Sequence, residues 1–112
     1  MAVKPARLAG PIQLGTTIST LYTSAALTST AISNAIANNQ SAGVVTFTVH
    51  VVPSGDSATA SNQVVSAIPL AAGESMIIGN LLNQVLGPGD SIQALASAAT
   101  SINVLLSGNK IT

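Results

Sequence analysis

Apolar and polar positions alternate most steadily over residues 44–52, VVTFTVHVV. Val45, Phe47, Val49 and Val51 fall on one face, and Val44, Thr46, Thr48, His50 and Val52 on the other. Period-two patterning rich in β-branched residues predicts a central strand. Turn-forming residues bound it at 38–43 and at Pro53-Ser54-Gly55-Asp56. Similar runs predict strands at 17–23, 31–38, 63–68 (ended by Pro69), 75–79, 91–96 and 101–106. Ile92, Ala94 and Ala96 share one face, and Ile102, Val104 and Leu106 point inward. Residues 31–38 are ambiguous, since Leu27, Ala31, Ala35 and Ile36 also suit one face of a helix and the alanines favour it. Strand is the reading taken, because it pairs with 44–52 as a hairpin across the turn at 39–43. Leu81, Leu82, Val85 and Leu86 are spaced for a short helix capped by Gly87 and stopped by Pro88, with an edge strand as the competing assignment. Residues 24–30 read as a turn leading into a strand and 54–62 as an exposed loop, and Gly108-Asn109 is expected to bend the end of the chain.

Residues 1–15 break the pattern with Pro5, Gly10, Pro11 and Gly15, and they hold Lys4 and Arg7. Such a segment reads as an extended arm, able to reach about 45–50 Å when stretched. The arm at 1–15 is thus set apart from a domain at 16–112. Lys4, Pro5, Arg7, Pro11 and Ile12 are its candidate contacts to a neighbouring subunit. About seven short strands separated by Gly, Pro, Asn and Ser turns predict an all-β, antiparallel β-sandwich of jelly-roll or immunoglobulin-like type.

Composition changes the picture most through charge. Only 5% of the 112 residues are charged, three basic and three acidic, for a formal net charge of zero; ordinary soluble domains carry roughly 25%. A chain so poor in charge associates readily and leaves its sheet edges without their usual guard. A permanent homo-oligomeric assembly is the expectation. Three basic residues, one Phe and one Tyr give nucleic acid little to bind. Mean hydropathy is +0.58, yet no apolar run reaches the roughly 18 residues that cross a bilayer. Gly10-Pro11 falls where a signal peptide needs its apolar segment, so synthesis without secretion is expected. The chain has no cysteine, which removes disulfides, thiol nucleophiles and thiolate metal sites.

Candidate chemistry is sparse. His50 is the single histidine, and no nucleophile or orienting carboxylate is identifiable beside it, so it reads as a strand histidine bonded across the sheet or at an interface. Asp56 lies in a polar loop, DSATASN, but one carboxylate falls short of the oxygen set calcium takes. Asp90 after Gly89 and Glu74 after Gly73 read as side-chain caps of their own turns. Gly87-Pro88-Gly89 lacks the lysine of a phosphate loop, and Asn39-Gln40-Ser41 is a chance glycosylation sequon. No cofactor, metal or enzymatic activity is expected.

The order LYTSA (21–25), AISNAIANN (31–39), VTFTVHVVPSGDSA (45–58), IPLAAGESM (68–76), LGPGDSIQALAS (86–97) and INVLLSGNKIT (102–112) resembles small virion structural proteins of tailed bacteriophages. The likeness covers about residues 20–112 and departs from the usual pattern at Lys110 and over 80–85. Related-looking modules occur in capsid decoration or cement proteins, head fibres, collars and tails. The resemblance implies a non-enzymatic virion subunit assembled in the host bacterial cytoplasm, first of all an outer-capsid decoration or cement protein. Its expected partners are further copies of itself and the major capsid protein or neck and tail proteins. A collar, neck or tail subunit is the alternative, and a receptor- or carbohydrate-binding fibre module is the alternative from another class.

Overall fold

The structure, a computed structural model, describes residues 2–112. Nine strands are found among these residues: β1 (Val3–Gln13), β2 (Ser19–Thr23), β3 (Ser29–Asn39), β4 (Val45–Val52), β5 (Gln63–Leu70), β6 (Ser75–Ile77), β7 (Val85–Leu86), β8 (Ser91–Ala96) and β9 (Ile102–Ile111). The first sheet has the order β1-β9-β3-β6, with β7 also on β3, and the second has the order β2-β8-β4-β5. All pairings are antiparallel. The chain passes back and forth between the sheets, and β6 with β7 forms one interrupted edge. The result is two layers of four strands wound as a jelly roll, which decides between the two sandwich types expected.

The core lies between the layers and is made by the faces that alternation predicts. Val45, Phe47 and Val49 of β4, Ile92, Ala94 and Ala96 of β8, and Ile102, Val104 and Leu106 of β9 are all buried in one cluster. The central strand β4 is interior, between β8 and β5. Its other face is covered as well: Thr48 and His50 are buried, because the chain after β4 folds back over them.

Beyond the strand number, nine where about seven were expected, and Pro69, which lies inside β5 rather than ending it, four expectations are corrected. First, β3 and β4 form no hairpin, since they lie in different sheets. Asn39, wholly buried, turns the chain from one layer to the other: its Nδ2 donates to the carbonyls of Gly43 and Leu70 (2.8 Å each), and its Oδ1 accepts from Ser41 N–H (2.9 Å). Second, residues 3–13 are not a separate arm but strand β1, paired to β9 from Val3↔Ile111 to Gln13↔Asn103. Burial of Leu8, Ala9 and Leu14 holds it there. Its prolines are tolerated because an edge strand has one unpaired side.

Third, no helix forms over 81–86. A 3-10 turn at Gly79–Leu81 and then β7 keep the chain on the edge of β3, through Ile78 N–H to Ala35 O (2.8 Å) and Asn83 N–H to Ile32 O (2.8 Å). Fourth, Gly108 makes no bend. It is buried inside β9, where a Cβ would overlap the carbonyl oxygen of Ala31 on β3. The glycine permits close approach of two backbones.

Gly108→Ala is therefore expected to cost about 3 kcal/mol in urea unfolding, by overpacking. Gly43→Ala, where a Cβ meets nothing within 4 Å, should stay within about 0.5 kcal/mol of the parent.

Candidate functional site

At one end of the sandwich the loops 24–28, 53–62 and 87–90 come together, beside the start of β1 and the end of β9. Asp90 ties them. Its Oδ2 accepts from Gly87 N–H, capping its own turn as expected, and its Oδ1 accepts from Ser54 N–H, 36 residues away, each at 2.9 Å. Backbone bonds add Ser24 N–H to Asp90 O and Gly89 N–H to Ser24 O (2.9 Å each). Gly89, at φ +86°, lies so close that a Cβ would overlap the Ser54 hydroxyl.

The 53–62 loop closes over the outer face of the second sheet. His50 bonds through Nδ1 to Asn62 Oδ1 (2.8 Å), and that oxygen also accepts from Thr59 N–H (3.0 Å). Asn62 Nδ2 donates to Ser57 O (2.9 Å), so the His50 proton sits on Nδ1 and points at the amide oxygen. The expected strand histidine is bonded from its sheet to a loop, with an amide as its partner. Outside it, Pro53, Asp56, Ser57, Thr59, Ser61 and Asn62 line an open recess of about 390 Å³. One carboxylate and three hydroxyls can bind a polar ligand there. No group of three or more His, Cys, Asp or Glu residues suited to a metal exists among the described residues.

Glu74 is a turn cap too, its Oε1 accepting from Ala71 N–H (2.9 Å). It stands at the far end, where its carbonyl accepts from Asn39 N–H (2.9 Å). Glu74 and Asp90 are thus separated by about the length of β3, on the order of 35 Å for eleven residues, too far to act on one bond. Of the five residues assigned to the arm, Lys4, Pro5, Arg7 and Pro11 are exposed on β1, while Ile12 packs half-buried against the core. Lys4 faces Lys110 directly across the β1–β9 pairing. All three basic residues of the chain therefore lie on two neighbouring strands.

Sequence reasoning weighed Leu27 only as part of an apolar helix face, but it stands 91% exposed at the tip of the 24–28 loop with φ 59°. A signal existed: one large apolar residue amid Thr23-Ser24-Ala25-Ala26 and Thr28-Ser29-Thr30.

No protein-family model matches the chain, and no curated protein matches it. Among solved structures, a chain in the structure of infectious bursal disease virus, Gx strain, superposes with a TM-score of 0.53 at 17% identity. The match covers 98% of this chain and 32% of that one. The two share a fold. This chain spans about a third of the length of the viral chain, and the agreement with the sequence resemblance lies at the level of a β-sandwich found in a virus.

Removing the loop tie tests this geometry. Asp90→Ala should lower stability by about 2 kcal/mol, by stranding two backbone donors. Asp56→Ala, at an exposed loop position, should stay within about 0.5 kcal/mol. Thermal or urea unfolding of the two variants reads both.

Proposed function

We propose that this chain is a structural subunit of a tailed-bacteriophage virion, an outer-capsid decoration or cement protein that binds the assembled shell together with further copies of itself. The observation that carries this reading is the jelly-roll winding, the fold shared with a chain of a virus structure. The turn and strand motifs quoted above supply the phage assignment. Composition supports it independently: a neutral surface of Ser, Thr, Asn, Gln and Ala is cheap to desolvate and suits broad contact with other subunits. Lys4, Pro5, Arg7 and Pro11 on the outer strand β1 are available to a neighbour on the shell.

The mechanism is thermodynamic. A protein that binds only the assembled shell stabilises it by mass action, by about 2.7 kcal/mol per site at a free concentration one hundred times Kd. No bond need be made or broken. One observation favours a second reading, a carbohydrate- or receptor-binding module: the recess at Asp56, Ser57, Thr59 and Ser61. Its lining has no aromatic wall against which a sugar would stack.

Particles assembled without this protein are expected to release their genome at lower temperature than complete particles, and purified protein added back should restore the difference. Purified protein that binds neither shells nor tails would overturn the proposal.

A further inference from the structure

We infer that the loop-bearing end of the sandwich, with Leu27 at its tip, is a self-complementary surface that docks a second copy of this chain. Thr28 N–H bonds Ala25 O (3.2 Å), which makes residues 25–28 a β-turn with Leu27 as its third residue at φ 59°. A turn of that shape calls for Gly or Asn at this position. A leucine there strains the backbone, and 91% of it faces solvent with exposed Ala25 and Ala26 beside it. Single apolar residues on a surface are ordinary. The strain sets this one apart, because neither cost benefits an isolated subunit.

The tip is also held in place from below. Ser24 Oγ donates to Thr28 O (2.8 Å) and bonds Thr30 Oγ1 (3.0 Å), which in turn bonds Tyr22 OH (2.9 Å). Ser24, Thr28 and Thr30 are buried. A prepositioned anchor loses little freedom on binding.

Charge identifies the occupant. Lys4 and Lys110 stand directly opposite each other on β1 and β9, and Lys110 is also the register partner of Thr30. Like charges so placed repel, and both side chains are exposed. The 53–62 loop at this same end joins β4 to β5, on the opposite side of the other sheet, and it carries exposed Asp56. The end thus displays an apolar tip between a cationic corner and an anionic one. A purely anionic partner would repel Asp56, and a cationic one the lysines. A second copy related by a two-fold axis across this end sets each cationic corner against the other's Asp56, the arrangement of an isologous interface. This inference is independent of the virion reading.

The test is sedimentation velocity of the full chain from about 1 to 100 µM, with thermal unfolding alongside. The wild-type chain should associate. Leu27→Gly should weaken association at least tenfold while raising the unfolding midpoint, because glycine suits the positive φ. Lys4→Glu with Lys110→Glu, and separately Asp56→Lys, should each weaken association, and all three together should recover it. A wild-type monomer at every concentration, an unchanged affinity in Leu27→Gly, or no recovery in the combined variant would overturn the inference. A wild-type monomer whose Leu27→Gly variant no longer occupies virus particles would overturn it in favour of another virion subunit. Self-association without particle binding would uphold it and count against the proposed function alone.

Discussion

Strand β9, the last of the chain, lies between β1 and β3, and the first sheet has no interior until it arrives. Its ladder to β3 runs from Ser29↔Ile111 to Asn39↔Ile102, and its ladder to β1 from Val3↔Ile111 to Gln13↔Asn103. Both pairings join residues far apart in sequence, so the entropy of closing the chain is spent before the contacts repay it. What repays it is the inner face: Ile102, Val104 and Leu106 are almost fully buried with Ile32, Ala35 and Ala37 of β3 and Phe47 and Val49 of the facing sheet. Alanine at 35, 37, 94 and 96 and a single phenylalanine make this a core of small side chains. A lost methylene there has few flexible neighbours to fill its place.

The same winding leaves four edges, and devices other than charge blunt three of them. Pro5 and Pro11 interrupt β1, which also shifts register on either side of Ala9. Pro69 lies in β5 with Ala67 at positive φ before it, and the edge beside β3 is broken into three residues and two. Prolines, bulges and short strands are recognised ways of blunting an edge. The proposed self-association is thereby directed away from edge pairing and toward the loop-bearing end, where Leu27, the lysine pair and Asp56 lie. A nearly uncharged surface and the proposed contact end are compatible in one chain for this reason.

Local patterning made most of the layers legible. The inward faces of β4, β8 and β9 follow from alternation alone, and the sandwich follows from the spacing of turns. The misreadings have a common cause, since each depends on a partner distant in sequence. Glycine and proline in residues 1–15 read as breakers because nothing local shows β9 waiting to receive β1. Asn39 reads as a hairpin turn because its bonds to Leu70 O and Gly43 O, which send the chain to the other layer, involve a residue 31 positions on. Gly108 reads as a bend because the close approach of Ala31 is a tertiary fact. At the candidate site, Asp90 was legible as a cap but its reach to Ser54 was not, and the strain at Leu27 is invisible until φ is known.

Electron cryomicroscopy of complete particles, compared with particles lacking the protein, tests the proposed role of this jelly roll as a repeated building block of a virus particle. Difference density distributed over the outer shell is expected, each unit fitting a body with extents of 46 × 26 × 19 Å. Particles with identical density at shell, neck and tail would contradict it.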